Sequence, residues 1–240
     1  MGLDRVPILM YHRLGDVRPE SIVPGHYVSA TLFERQLRLL RLLRMNAVNL
    51  KTMQAGFRGE FPLPPRPVVV TFDDGYQSFT QLGMPTLKRF GMTATVFLVS
   101  DLIGSRNEWD FAIGDVEEPL MSREEVFKAI EDGFEFGAHT RRHIDLSKVS
   151  LEEAGEEIAG SKRDLESWIG RPVDYFCYPY GGMNEAVRRL VAQAGYLGAT
   201  STVRRGNGPD SDPFSWGRIN VRSNTTTFRL LRRLLKVARS

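Results

Sequence analysis

The 240-residue sequence has one cysteine, Cys177, and four histidines, His12, His26, His139 and His143. A single thiol excludes an internal disulfide framework and any multi-cysteine zinc or iron–sulfur site, so a metal would have to be held by imidazoles and carboxylates. No apolar run approaches the roughly 18–20 residues that span a bilayer. Met1 to Arg5 lacks the basic start and apolar core of a signal peptide. The expected location of the chain as it stands is therefore cytoplasmic, or extracytoplasmic if a longer precursor is trimmed. Acidic residues are missing after Asp212, whereas Arg218, Arg222, Arg229, Arg232, Arg233, Lys236 and Arg239 follow it. Taking those seven charges from the net +3 leaves the remainder at −4. The basic pI thus describes a mildly acidic body with a basic end, and nucleic acid is not an expected partner.

What is present is enough apolar sequence, 42% of residues, to bury a full core in one large domain. Its most telling stretch is Val68 to Gly75, a β-branched run that delivers Asp73 and Asp74 side by side into a glycine turn. Adjacent carboxylates raise one another's pKa and cost free energy unless something compensates, and a metal ion is the obvious compensator.

Val6 to Tyr11 reads as a first strand, with His12 directly after it and a Gly- and Pro-rich loop, including His26, to about Ser29. Thr31 to Arg44 has a helical pattern whose arginines, every third residue, read as a solvated face, with Asn46 ending the helix and Ala47 to Leu50 as a second strand. Further strands are expected at 68–73, 93–100, 134–138, 173–178, 197–202 and 215–221. Helices are expected at 77–90, from Ser122 to Gly133, from Ser150 to Gly170 and at 184–194, with a long loop at 101–121. Strand and helix alternate without tight hairpins, so the fold class is α/β, a complete or distorted (β/α) barrel of seven or eight units in a single domain. In such barrels the site lies past the C-terminal strand ends, where His12, Asp73, Asp74, His139 and Tyr178 to Gly181 fall. Residues 226–239 read as a basic amphipathic helix with Phe228, Leu231, Leu234, Leu235 and Ala238 on one side. That helix packs on the sheet or makes peripheral contact with an anionic membrane.

His139 and His143 stand four apart after a strand, a spacing that puts both imidazoles on one side of a helical turn. With Asp74 they make a set of two imidazoles and one carboxylate with an open position, the pattern of catalytic zinc. Asp73 is then free to deprotonate a water whose pKa the metal lowers. An isolated Asp-Asp-Gly would be an ordinary turn; the histidines make the difference.

Thr71-Phe-Asp-Asp-Gly75, His139-Thr-Arg-Arg-His143 and Pro179-Tyr-Gly181, in this order, resemble the first three motifs of the polysaccharide deacetylases, carbohydrate esterase family 4, whose domain is also called the NodB homology domain. The Tyr11-His12 pair resembles the poly-N-acetylglucosamine deacetylase branch. The resemblance implies a distorted (β/α) barrel and metal-dependent deacetylation of an N-acetylated oligo- or polysaccharide. It assigns Asp73 as base, Asp74, His139 and His143 as ligands of a divalent metal (Zn2+, alternatively Co2+, Ni2+ or Mn2+), and the Tyr180 N–H as oxyanion donor. Two departures stand out. Cys177 occupies the position of a family arginine that orients the base, and no histidine follows His143 to serve as the late catalytic acid. Amide cleavage needs a proton on the leaving amine, and His12 is the candidate, its alternative being a structural histidine. Arg218 either fixes Asp73 or makes a surface salt bridge. Trp109, Asp110, Trp216, Arg218 and Tyr180 are the candidate substrate contacts. The same departures leave room for an inactive carbohydrate-binding protein, or for a metal-dependent amidase on a non-sugar amide or imide.

Overall fold

An unbroken run of buried residues marks a strand covered on both faces, and Pro67–Phe72 is such a run, central to a wholly parallel sheet. The structure, a computed structural model, describes residues 5–237. Met1 to Asp4 and Ala238 to Ser240 lie outside the described residues, and with them part of the signal-peptide reading and the expected end of the C-terminal helix. The first half of the chain forms β1 (Ile8–Tyr11), β2 (Arg13–Leu14), β3 (Tyr27–Val28), α1 (Ala30–Leu42), β4 (Asn46–Val48), α2 (Leu50–Phe57), β5 (Pro67–Phe72), α3 (Met84–Phe90), β6 (Thr95–Leu98) and the short α4 (Glu108–Phe111). The second half forms α5 (Arg123–Glu131), β7 (Glu135–Ala138), α6 (Leu151–Ile169), β8 (Tyr175–Cys177), α7 (Glu185–Gln193), β9 (Gly198–Thr200), β10 (Ile219–Asn220) and α8 (Thr227–Val237).

The sheet runs β10-β1-β5-β6-β7-β8-β9, with β4 paired to the start of β5. A parallel bridge from Thr200 to Trp216 joins the two ends, because the segment that becomes β10 first runs beside β9. The result is a curled, barrel-like parallel sheet flanked by helices. Alternation along the strands sends Ile8, Val69, Phe97, Tyr175, Cys177 and Trp216 to one cluster inside the curl. Leu9, Val68, Val70, Phe72, Val96, Phe136 and Phe176 meet the helices outside it.

Local signals set most boundaries. Ser122 and Glu125 form the reciprocal capping box, Ser150 accepts from the Glu153 N–H, and Gly91 and Gly170 end their helices in the left-handed conformation. Four expectations need correction. Arg44, at φ 53°, rather than Asn46, makes the turn after α1, because Asn46 is already extended in β4 with its N–H on the Arg66 carbonyl. Leu50 starts a helix, not the end of a strand, since Asn49 caps α2 through Thr52 N–H. The 101–121 loop contains α4 and is stitched down by bridges from Tyr76 to Leu120 and from Arg106 to Pro119. On α8 the buried residues are Leu230, Leu234 and Val237, an i, i+4, i+7 face, while Phe228 is 66% exposed. No helix among the described residues is long and apolar enough to cross a membrane.

Gly137 shows how tightly the interior is filled: a Cβ there would sit 2.6 Å from the Phe97 ring and 2.7 Å from the Tyr175 carbonyl oxygen. Gly137→Ala is expected to destabilise the fold by about 1–3 kcal/mol through overpacking against backbone. Gly155→Ala, in the second turn of α6 with only Leu190 at 4.0 Å, should stabilise by about 0.5–1 kcal/mol. Urea unfolding of both variants checks the pair, and equal shifts of the same sign would contradict this account of the packing.

Candidate metal and catalytic site

Strand alternation alone would point Asp73 into the barrel and Asp74 away from it. Asp73 follows that rule from the end of β5, with its N–H on the Tyr11 carbonyl at 2.9 Å. Asp74 does not, because its backbone is left-handed at φ 73°, as is Gly75 at φ 72°. The turn brings Asp74 Oδ1 to 3.2 Å from Nε2 of both His139 and His143. All three ligand residues are buried.

The two histidines reach this point without the expected helical turn. Thr140 and His143 are left-handed, at φ 64° and 61°, and the His143 N–H donates to Thr140 Oγ1 at 2.9 Å. The arginines between them face outward, where the buried Glu157 of α6 accepts both of their backbone N–H groups at 2.9 and 3.0 Å. Those bonds pin the turn.

The residues present fit a divalent cation. Asp74 Oδ1 is buried and accepts no hydrogen bond. His139 Nδ1 lies 2.7 Å from the Cys177 carbonyl, which can only accept, so Nδ1 carries a proton and Nε2 is the ring nitrogen left to bind an ion. His143 Nδ1 is 3.2 Å from the Tyr180 hydroxyl. Burial would raise the Asp74 carboxyl, yet His143 and His139 beside it hold it well below the usual range. Three converging ligand atoms in negative surroundings are what a Lewis-acidic ion requires.

Asp73 is held differently. Burial would raise its pKa too, but the Arg218 guanidinium, with His12 and His139 adding to it, holds the carboxyl below its ordinary value. Arg218 is fully buried and grips Asp73 with two parallel bonds, Nη1 to Oδ1 at 2.6 Å and Nη2 to Oδ2 at 2.8 Å. Of its two readings, the surface salt bridge is therefore excluded. Cys177, buried at the end of β8, brings its Sγ to 3.6 Å from Asp73 Oδ2 and 3.1 Å from Arg218 Nη2.

A cavity of about 310 Å³ opens above these groups, lined by His12, Trp109, Asp110, Tyr180, Asn220 and Arg222 among others. His12 Nε2 is 3.9 Å from Asp73 Oδ2. Burial, with His26 adding to it, pushes the His12 imidazole down to about 3, so it rests neutral. Trp109 stacks on His143, with ring centres 4.2 Å apart, and Tyr180 meets the same imidazole edge-on at 4.8 Å. Tyr180 is left-handed at φ 58°. Asp110 lines the cavity but is already bonded to Arg13 and to the Tyr76 hydroxyl. Trp216 does not reach the cavity: it is 1% exposed and packs on Tyr175 and against Gly198, because it faces inward deep in the barrel.

Sequence reasoning missed His26, which stacks on His12 at 4.4 Å and 13° and lines the cavity. It follows the C-terminal end of β1, and loops in that position border barrel active sites; that was the available signal. Arg13 was missed as well. Its guanidinium is buried among Tyr27, Tyr76, Asp110 and Asp115, tying the loop after His12 to the loop that carries Trp109.

The family model for polysaccharide deacetylases matches residues 61–199. The chain is 28% identical over 165 residues to the peptidoglycan-N-acetylglucosamine deacetylase of Bacillus cereus, covering 68% of this chain and 67% of that one. It is 25% identical over 209 residues to the poly-beta-1,6-N-acetyl-D-glucosamine N-deacetylase of Staphylococcus aureus MRSA252, covering 83% and 69%. In fold it is similar to the Streptococcus pyogenes deacetylase PplD, solved with acetate, at a TM-score of 0.83 and 22% identity over 96% of this chain and 98% of that one.

Arg218→Met should leave Asp73 buried without its cation, so its pKa rises. Because that carboxylate is in use only above its pKa, the acid limb of the kcat/KM profile should then move to higher pH. The pH profile of the variant, with circular dichroism to confirm folding, checks this; an unmoved limb in a folded variant would refute it.

Proposed function

The chain belongs to the polysaccharide deacetylase family, and on that premise we propose that it is a zinc-dependent hydrolase removing N-acetyl groups from an N-acetylhexosamine-containing glycan. The observation that carries the reading is the separation of two neighbouring carboxylates into different environments. Asp74 faces two imidazoles and Asp73 faces a guanidinium and the open cavity. The two relatives named above act, by their names, on N-acetylglucosamine, one in peptidoglycan and the other in a poly-beta-1,6-linked polymer.

Asp74, His139 and His143 would hold the ion, which when bound supplies Lewis acidity, polarising the acetamide carbonyl and lowering the pKa of water. Asp73, kept ionised by Arg218, accepts the proton of the attacking water. The Tyr180 N–H donates to the oxygen of the tetrahedral intermediate as charge develops there. His12, neutral at rest, stands beside Asp73 and can receive a proton during the cycle, so it is the group placed to hand one to the departing amine. One proton passes from water to Asp73 and one reaches nitrogen, giving acetic acid and a free amine; the acid's own proton then moves on, leaving acetate and an ammonium at neutral pH. Trp109 and Tyr180 wall the cavity with aromatic surface suited to a pyranose face. Arg218 stands where the missing motif arginine would have acted, which weakens the case for an inactive carbohydrate-binding protein.

Asp73→Asn is expected to lower acetate release from N-acetylglucosamine oligomers by roughly 10²–10⁴-fold while zinc binding, followed by calorimetry, persists. His12→Ala should lose most of kcat with zinc binding likewise retained. Full activity of either metal-replete variant would remove that residue from the mechanism, and turnover of a non-sugar imide in place of the oligomer would move the substrate class.

A further inference from the structure

The charges lining the cavity are matched, with one exception. Asp73 is paired with Arg218, Asp110 with Arg13, and Asp74 with the two imidazoles. Arg222 lies on the same lining, and among the described residues no carboxylate pairs with it. Its place at the mouth is built. The Arg222 N–H donates to Thr225 Oγ1 at 2.9 Å, and the neighbouring Ser223 N–H reaches the Gly25 carbonyl at 3.2 Å. The methylene stem lies over the turn before His26, where a Cβ added at Gly25 would sit 3.6 Å from Arg222 Cδ.

Arg222 is not alone. Burial first, then Arg204, Arg229 and Arg222, push the Arg233 guanidinium below its ordinary value, so Arg222, the one of the four on the cavity lining, stands among like charges. The segment from Pro213 to Val237 that supplies three of them has no acidic residue. The lining also holds Trp109 and Tyr180, both packed on His143. The lining therefore combines aromatic surface with one guanidinium that no carboxylate among the described residues neutralises. A neutral glycan would leave that guanidinium to water. Arginine's planar fork matches carboxylate and phosphate alike, and a cleft edged by one sign of charge raises the local concentration of the opposite sign.

We propose that Arg222 is an anion-recognition residue at the cavity mouth, and that the preferred glycan carries a carboxylate or phosphodiester next to the N-acetylhexosamine being deacetylated. The inference rests on the deacetylase reading and sharpens its substrate class.

Three N-acetylglucosamine-containing oligomers of equal length test it: one uncharged, one whose neighbouring sugar bears a carboxylate, and one with a phosphodiester at that position. The readout is the ratio of kcat/KM for each anionic substrate to that for the neutral one, so a general loss of activity in a variant cancels. At least one ratio should be about tenfold or more in the native enzyme, the low end of what a charged hydrogen bond contributes. That ratio should shrink as salt shortens the Debye length. In Arg222→Gln it should fall toward one, and in Arg222→Lys part of it should return. The arm that responds identifies carboxylate or phosphate as the anion. Native ratios near one, or a ratio untouched by Arg222→Gln, would overturn the proposal while acetate release from the neutral oligomer still upheld the deacetylase reading. No acetate from any of the three would overturn both.

Discussion

The structure depends on one buried ion pair, Arg218 with Asp73. Putting both charges inside a barrel costs several kcal/mol per ion, so the pair is tolerable only if every polar atom is satisfied. Arg218 meets that condition. Its five N–H groups find five acceptors: the Ser201 carbonyl for Nε, Thr71 Oγ1 and Asp73 Oδ1 for Nη1, and Asp73 Oδ2 and Cys177 Sγ for Nη2. Those partners belong to β5, to the end of β8 and to the chain just past β9, so a single side chain ties together strands far apart in sequence. It also decides what can stand at position 177. A second guanidinium there would crowd the first and leave a buried charge uncompensated, whereas a thiol fills the gap at 3.1 Å and accepts the last N–H. The arginine expected from the family resemblance has in effect changed strands, from β8 to the approach to β10.

With Asp73 so held, the neighbouring carboxylate is free for other work. Two adjacent ionised carboxylates repel when both face one point. Here the left-handed backbone at Asp74 swings the second carboxylate around toward His139 and His143, away from the guanidinium that neutralises the first. Gly75 can follow in the same conformation at no steric cost, and its lack of a Cβ matters, since one would sit 2.8 Å from Leu98 Cδ2. The Asp-Asp-Gly sequence is thus a device for aiming two identical groups at two different partners.

Much of this was legible in the sequence because it is written in local signals. The strand-helix alternation, the capping residues Ser122 and Ser150 and the left-handed glycines Gly91 and Gly170 each act within a few residues, and the structure contains them where the sequence places them. The motifs at 71–75 and 139–143 carried the metal cluster for the same reason. What stayed hidden depends on distant partners. Arg218 could be either surface or core until β10 was seen beside β1, 147 residues from Thr71 in sequence. His26 looked like any loop residue because its significance lies in stacking on His12. The exposed position of Phe228 is likewise set by how α8 meets the rest of the fold, which helical periodicity alone does not reveal.

A second arginine complements the first. Arg13 follows His12 directly and is almost wholly buried, with four side chains around its guanidinium. Through Asp110 and Asp115 it anchors the 101–121 loop against the strand end that carries His12. Moving Arg13 would therefore shift Trp109, which lies next to Asp110 in sequence and against His143 in space. Trp109 and Tyr180 contact two sides of that imidazole, so the aromatic walls that shape the cavity are also what steadies one candidate metal ligand. The chemistry at the floor is set by Arg218 and the shape of the opening by Arg13. Because each is buried and multiply bonded, neither can relax without cost, and the reacting groups are held in position before any substrate arrives.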